Sequence, residues 1–446
     1  MSLNTPNNLP DTAQQLKVLS ASAEELAHRG QVEQAEQVYT HILEIAPYHT
    51  RSLDFLAMRA YERGNTDLSL ELLGRSLDSN PDRPVAYQNI GLVHKLRGEY
   101  DLALEALGRA IQLQPTYPVA LLHKGSILEL LGRRREAVSV YLLAWTQAPE
   151  FQHVRYSEHV SRNMRELIAR SADAIKGART EILDRVFWQL NEQQDALESA
   201  RVRQLYDIYI GNAEPEYAHA KQQPAFLYFP GLRPRAFYER EDFDWVPELE
   251  LATHRIREEL LAVLQHSDNL QPYVQLTATD LAQWKELNYS PDWSSFHLYK
   301  AGERIDSHSQ RCPFTTATIE KLPLVSTPNQ APEVFFSILK PGTHIPPHYG
   351  LANYKLAVHL PLIIPGDCAI RVGDETRTWM EDQCLIFDDS FEHEAWNNSN
   401  ELRAVLILEV WNPQLSLIER QLVEAILHAI QEFDREYRNP TESLQT

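Results

Sequence analysis

The chain has 446 residues, 43% of them hydrophobic and 23% charged, with 42 Lys and Arg against 62 Asp and Glu. That length exceeds one ordinary core, so two or three globular domains are expected. A formal net charge of -20 offers no general attraction to nucleic acid or anionic lipid, and neither is an expected partner.

The N-terminal MSLNTPNNLPDTAQQLK lacks a basic region followed by an apolar stretch, so it does not read as a secretory signal, and residues 1–15 read as a flexible N-terminus. No run approaches 18 apolar residues, so no membrane span is expected. The three cysteines, Cys312, Cys368 and Cys384, form no CxxC pair. Such a sparse, odd count argues against a disulfide framework or structural zinc, and a reducing, cytoplasmic compartment is the expectation.

An internal repeat follows. Gly30, Gly64, Gly98 and Gly132 are each 34 residues apart, as are Pro47, Pro81, Pro115 and Pro149. Five residues after each glycine stands a small residue: Ala35, Ser69, Ala103, Ala137. This predicts a helix, a tight glycine turn, and a second helix that crosses the first closely before proline ends it. The period and the placement of Tyr87, Gly91, Ala103, Ala110 and Pro115 resemble the tetratricopeptide repeat, with four units over 16–149. The resemblance implies an all-α solenoid that grips a peptide or protein substrate or partner. From 150 to 222 the pattern stays helical without the register and reads as a cap and linker.

Around 223 the texture changes to PAFLYFPGLRPRAFYEREDFDWVPELE, followed by the helical ELATHRIREELLAVLQ. Short β-like segments then occupy 334–340, 354–364, 369–380, 384–389, 393–398 and 403–411, separated by PGT, PGD, GDE and NNSN turns. They predict an antiparallel double-sheet roll. A long amphipathic helix, SLIERQLVEAILHAIQEFDREY, closes a domain over 223–437, leaving 438–446 as a tail.

The chemistry-bearing residues lie in this second half. His344 and His348 are four apart, but Pro346 and Pro347 between them exclude the helix that a zinc-protease pair needs. On an extended segment the two histidines would share a face, which leaves a two-histidine pair open. His348 with His393, each at the end of a strand, suits an iron oxygenase better, since those enzymes hold Fe(II) with two His and commonly one carboxylate. Arg403 heads the apolar VLILEV. It reads either as the bidentate partner of an anion such as 2-oxoglutarate or as a hairpin charge paired with Glu401. His297, His308 and His344 read as surface or loop histidines, and Cys368 and Cys384 as small core residues.

The strings YFPGLRPRAFYEREDFDW, FSILKPGTHIPPHYGLANYKL, HLPLIIP, IRVG, W-M-E, LIFDDSFEHEAWN and RAVLILEVWNP resemble the aspartyl/asparaginyl β-hydroxylase family over about 223–425. The resemblance implies a double-stranded β-helix (jelly-roll) dioxygenase that uses Fe(II), 2-oxoglutarate and O2 to hydroxylate an Asp- or Asn-like side chain. It implies His348 and His393 as iron ligands and Trp293, Ser337, His359 and Arg403 as 2-oxoglutarate contacts, with His348, His393 and Arg403 carrying catalysis. Gly350 stands where most iron oxygenases have a carboxylate ligand, an absence the family shares, and Asp388 and Asp389 would then support the ligands from behind. One position departs from the family: Ala357 replaces the usual Arg two residues before His359, and Lys355 on the same strand face is the candidate substitute. Two other functions stay open: a tailoring hydroxylase acting on a small molecule or a carrier-bound amino acid, and a repeat scaffold with a degenerate oxygenase. Intact His348, His393, Ser337 and Arg403 count against the scaffold.

Overall fold

The computed structural model describes residues 12–154, 157, 160–191, 199–265, 270–276, 282–327 and 330–438. Most of the expected flexible N-terminus and C-terminal tail therefore lies outside the described residues, although Thr12 already begins the first helix. The chain forms two compact units, Met1–Ala178 with Asp434–Thr446, and Arg179–Phe433.

The first unit contains four helix pairs: α1 (Thr12–His28) with α2 (Val32–Ile45), α3 (Thr50–Glu62) with α4 (Thr66–Ser79), α5 (Pro84–Arg97) with α6 (Tyr100–Leu113), and α7 (Pro118–Leu130) with α8 (Arg134–Gln147). The periodic residues explain each boundary. Gly98 ends α5 at φ 76°, a left-handed conformation costly for any side chain. The Glu99 N–H then reaches back to the His94 carbonyl at 2.9 Å, which satisfies a helix-end acceptor. Gly30, Gly64 and Gly132 repeat the geometry. Ala46, Asn80, Gln114 and Ala148, each just before a periodic proline, have extended φ near or beyond -134°, because the proline ring disfavours a helical predecessor. Ala35, Ser69, Ala103 and Ala137 are fully or almost fully buried. Close approach is also enforced from the partner helix: a Cβ on Gly91 would lie 2.8 Å from Leu107 Cγ.

The chain continues through α9 (Phe151–Val154), α10 (Arg162–Asn191) and α11 (Ala200–Tyr209). The early part of α10 packs on the last repeat, where Trp145 Nε1 donates to Ser171 Oγ at 2.9 Å.

In the second unit, α12 (Val246–Leu251) and α13 (Thr253–Leu264) precede most of the strands, and α14 (Asp306–Ser309) and α15 (Pro313–Ile319) interrupt them. The strands are β1 (Phe237–Tyr238), β2 (Gln271–Pro272), β3 (Trp293–Lys300), β4 (Glu303–Arg304), β5 (Val334–Leu339), β6 (Thr343–His348), β7 (Lys355–Ile363), β8 (Cys368–Val372), β9 (Glu375–Arg377), β10 (Leu385–Phe387), β11 (His393–Asn397) and β12 (Arg403–Trp411). A final helix, α16 (Leu417–Tyr437), follows.

All strand pairs are antiparallel. The larger sheet runs β1-β10-β7-β12-β5-β3-β2 with β4 beside β3, and the smaller runs β6-β11-β8-β9. This is the double-sheet roll expected from the sequence. Alternation sorts the side chains. Leu356, Val358, Leu360, Leu406, Leu408, Phe336 and Ile338 point outward to a core shared with Leu249, Ile256 and Leu260 of the covering helices. Trp293, Leu339, Ala357, Phe387 and Val405 point inward to meet Ile345, Ile370, Val372 and Ala395 of the smaller sheet.

The sequence reading needs three corrections here. The segment 369–380 is a hairpin, β8 and β9 turning at Gly373, rather than one strand. The strand β3 was not anticipated, because WSSFHLYK looks polar, yet its inward Ser and His positions are shielded. His297 lies on strand β3, mostly buried and paired with Glu333, rather than at the surface or in a loop, whereas His344, although on β6, is exposed as expected.

Candidate active site

His348 ends β6 and His393 begins β11, and the two are register partners. Their rings are 4.0 Å apart between centroids. Getting both onto the inner face requires a shift of register. Thr343, His344 and Ile345 pair with Asn397, Trp396 and Ala395, but His348 then pairs with His393, so a bulge falls at Pro346 and Pro347. An inserted residue reverses the side on which the following side chain emerges. His344 therefore stays outside, paired with Glu394 at 2.8 Å, while His348 turns in. The shared face that would have made His344 and His348 a ligand pair does not exist.

Both inner imidazoles are held by backbone. His348 Nδ1 is 2.8 Å from the Pro346 carbonyl, and His393 Nδ1 is 2.9 Å from the Phe391 carbonyl. A carbonyl only accepts, so each Nδ1 carries the proton and each Nε2 presents a lone pair. Burial lowers the pKa of both, and for His393, with His348 adding to it, the value falls to about 3. Neutral imidazoles with free Nε2 lone pairs suit a divalent metal.

The carboxylate that iron oxygenases commonly add has no room at Gly350. A Cβ there would lie 2.3 Å from Asp389 Cγ, and the Gly350 N–H donates to the Asp389 carbonyl at 2.7 Å. Asp389 itself fills that space, with Oδ1 buried and without a hydrogen-bond partner. Burial, with Glu409 nearby and Lys355 opposing, raises its carboxyl to about 7. Asp388 does something else: it accepts from Ser390 N–H at 3.0 Å and Gln222 Nε2 at 2.7 Å, and so fixes the turn that delivers His393. Among the described residues, no group of three or more His, Cys, Asp or Glu side chains is arranged to hold a metal. The donors present are two imidazoles, and those fit one ion with several positions left over.

The same inner face carries a buried cation. Arg403, at the head of β12, is 1% exposed. It has no carboxylate partner among the described residues, and its Nε is buried unpaired. The hairpin pair with Glu401 is absent. Its guanidinium donates to Ser337 Oγ at 3.4 Å and lies 4.4 Å from the Trp379 ring centroid. Trp293 Nε1 also donates to Ser337 Oγ, at 3.1 Å. Burial pulls Arg403 down to about 10, so it remains a cation at neutral pH. A buried, unpaired guanidinium is costly unless an anion joins it.

His359 faces the same region from β7. Its Nδ1 accepts from Trp379 Nε1 at 3.2 Å, which leaves the proton on Nε2. Burial, then Arg403 and His393, push its pKa well down, so it is a neutral donor. The six anticipated residues, Trp293, Ser337, His348, His359, His393 and Arg403, thus share one inner region. Sequence reasoning gave no role to Trp379 of the matched W-M-E, which orients both His359 and Arg403. It also missed Trp284, whose ring meets His348 edge-on at 5.1 Å. A tryptophan inside the charged DETRTWMED stretch was the available signal for the first.

Lys355 corrects a further expectation. It is 5% exposed and donates to Glu409 Oε1, so it is not a free cation standing in for the missing Arg.

Comparison with known proteins agrees with this geometry. Residues 250–413 match the family model described as aspartyl/asparaginyl beta-hydroxylase, and 84–117 match that of the tetratricopeptide repeat. A stretch of 237 residues is 33% identical to the aspartyl/asparaginyl beta-hydroxylase of Homo sapiens, covering 52% of this chain and 30% of that protein. Another of 179 residues is 36% identical to the ornithine lipid ester-linked acyl 2-hydroxylase of Rhizobium tropici, covering 40% and 60%. The chain therefore spans less than two thirds of either relative. The solved structure of MamA aligns over 34% of this chain and 90% of that one, at 21% identity and a TM-score of 0.28. The chain thus joins a helical region that matches the tetratricopeptide-repeat model over residues 84–117 to a C-terminal region that matches the aspartyl/asparaginyl beta-hydroxylase model over residues 250–413.

Proposed function

We propose that residues 223–437 form an Fe(II)- and 2-oxoglutarate-dependent dioxygenase that hydroxylates a peptide or protein side chain recruited by the repeats. The observation that carries this is Arg403: a buried guanidinium with no carboxylate partner among the described residues, on the same inner face as two imidazoles whose Nδ1 atoms are held by backbone carbonyls, which leaves each Nε2 to present a lone pair. In this reading His348 and His393 hold iron, which would supply the activation of dioxygen. Arg403 and Ser337 bind the far carboxylate of 2-oxoglutarate, Trp293 and Trp379 fix those two donors, and the His359 Nε2–H donates to the bound co-substrate. Asp389 accepts from a group bound beside iron, in place of a ligand at 350. The balance is C–H plus O2 plus 2-oxoglutarate giving C–OH, succinate and CO2. Incubation of the full chain with Fe(II) and 2-oxoglutarate under 18O2 tests it. One 18O atom per succinate is expected, and unlabelled or absent succinate contradicts it.

A second reading is a non-peptide substrate. It is favoured by one observation, the 36% identity to a relative named for acting on an ester-linked acyl group.

A further inference from the structure

Lys355, Ala357 and His359 alternate onto the inner face of β7. Lys355 lies within electrostatic reach of Asp389, which fills the space at Gly350 two residues from His348, so this end of the face borders the proposed iron site. Ala357 stands directly across from Glu409 in the β7–β12 register. Both oxygens of the Glu409 carboxylate have a partner: Oε1 accepts from Lys355 Nζ, and Oε2 accepts from the Glu333 N–H at 3.4 Å. Asp389 adds a second carboxylate within electrostatic reach of Lys355. One ammonium therefore answers two carboxylates. Neighbouring inward positions supply no further free cation among the described residues. Phe335 stacks on Tyr273 at 5.1 Å and on His297 at 4.7 Å, and His297 is itself paired with Glu333 at 3.3 Å. Arg403 lies six residues from Glu409 along β12, roughly 20 Å at about 3.3 Å per residue, so it cannot serve this end of the strand.

We infer that Glu409 determines substrate specificity: by holding Lys355 it leaves no free cation beside Ala357, so the group flanking the oxidised carbon is uncharged, an amide or hydrocarbon rather than a carboxylate. A carboxylate placed there loses water without gaining an ion pair and adds a further negative charge beside Glu409, whose pairing already takes up Lys355. An amide or hydrocarbon meets neither penalty. The inference rests on the oxygenase reading and narrows its substrate class.

The test uses the full chain with Fe(II) and 2-oxoglutarate under anaerobic conditions, titrated calorimetrically with N-acetylaspartyl amide and N-acetylasparaginyl amide. Wild type is expected to bind the asparaginyl probe at least tenfold more tightly. Glu409→Gln frees Lys355 and is expected to narrow that ratio at least tenfold. Should Glu409→Gln lose its folded circular dichroism signal, Ala357→Arg adds a cation at the same place and is expected to narrow the ratio likewise. Equal affinities in wild type, an aspartyl preference, no detectable binding of either probe, or an unchanged ratio in a folded variant overturns the inference. Succinate formation by wild type without probe, measured in parallel, tests the oxygenase reading separately.

Discussion

Arg403 is a long charged side chain held almost wholly out of water. Desolvating a guanidinium is tolerable only with compensation, and the structure gives it one weak hydroxyl contact and an indole face. A charge-assisted, bidentate pair with a co-substrate carboxylate is worth roughly 2–4 kcal/mol. Arg403→Ala should therefore weaken 2-oxoglutarate binding by about one to three decades, at about 1.4 kcal/mol per decade. Arg403→Lys should recover part of this, because a point charge lacks the planar fork. Titration of 2-oxoglutarate against both variants checks it, and an unchanged affinity in Arg403→Ala would reduce Arg403 to a packing residue. The sequence showed an arginine entering an apolar strand but could not choose between an anion site and a hairpin pair. That choice depends on whether the side chain turns inward, which the pairing of Arg403 with Leu339 decides. Lys355 was misjudged for the converse reason: its partner Glu409 is 54 residues away in the chain, and no local pattern announces the contact.

Elements were legible where composition is monotonous. The apolar runs of β5, β7 and β12 and the amphipathic α16 were all anticipated, as were the eight repeat helices from their glycine and proline register. The strand β6 was harder, because THIPPH contains two prolines. It survives at the sheet edge, where a bulge needs no ladder donor from them. That bulge sets which histidines meet, and register cannot be read from a single strand's residues. Of the repeat glycines, Gly125 is the most closely approached: a Cβ there would lie 2.3 Å from the Tyr141 ring. Gly125→Ala should therefore destabilise the repeats by about 1–3 kcal/mol through overpacking, seen as a lower denaturant midpoint. A melt equal to wild type would mean that α7 and α8 separate freely.

The helix α7 also carries a pH dependence. Burial, then the Lys95 charge, lowers the His123 pKa from 6.5 to about 4. The folded state thus resists a proton that the unfolded chain accepts below about 6.5. Stability from this group is present above pH 6.5 and is lost as pH falls toward 4. Thermal melts from pH 7 to pH 4 should show a smaller decline for His123→Leu than for wild type. Parallel declines would contradict the assignment.

At the scale of the molecule, the repeats and the strands have separate cores. Leu53, Leu73, Leu107 and their neighbours serve one, and the two faces of the large sheet serve the other. No helix among the described residues is long and apolar enough to cross a membrane. We propose a division of labour in which the oxygenase holds iron and 2-oxoglutarate while the repeats raise the local concentration of a macromolecular substrate. Deleting 1–149 should leave substrate-free 2-oxoglutarate turnover largely intact and raise KM for that substrate, since a short tether holds it at about millimolar effective concentration. Equal KM for both chains would assign the repeats another task.

The proposed iron site of His348 and His393 is the one on which 2-oxoglutarate turnover would depend. Its most direct test is succinate formation by purified wild type, His348→Ala and His393→Ala at a fixed, low Fe(II) concentration, with folding of each checked by circular dichroism. The geometry predicts iron-dependent succinate from wild type and none from either variant, because one imidazole cannot retain the ion. Undiminished succinate from either folded variant would contradict it.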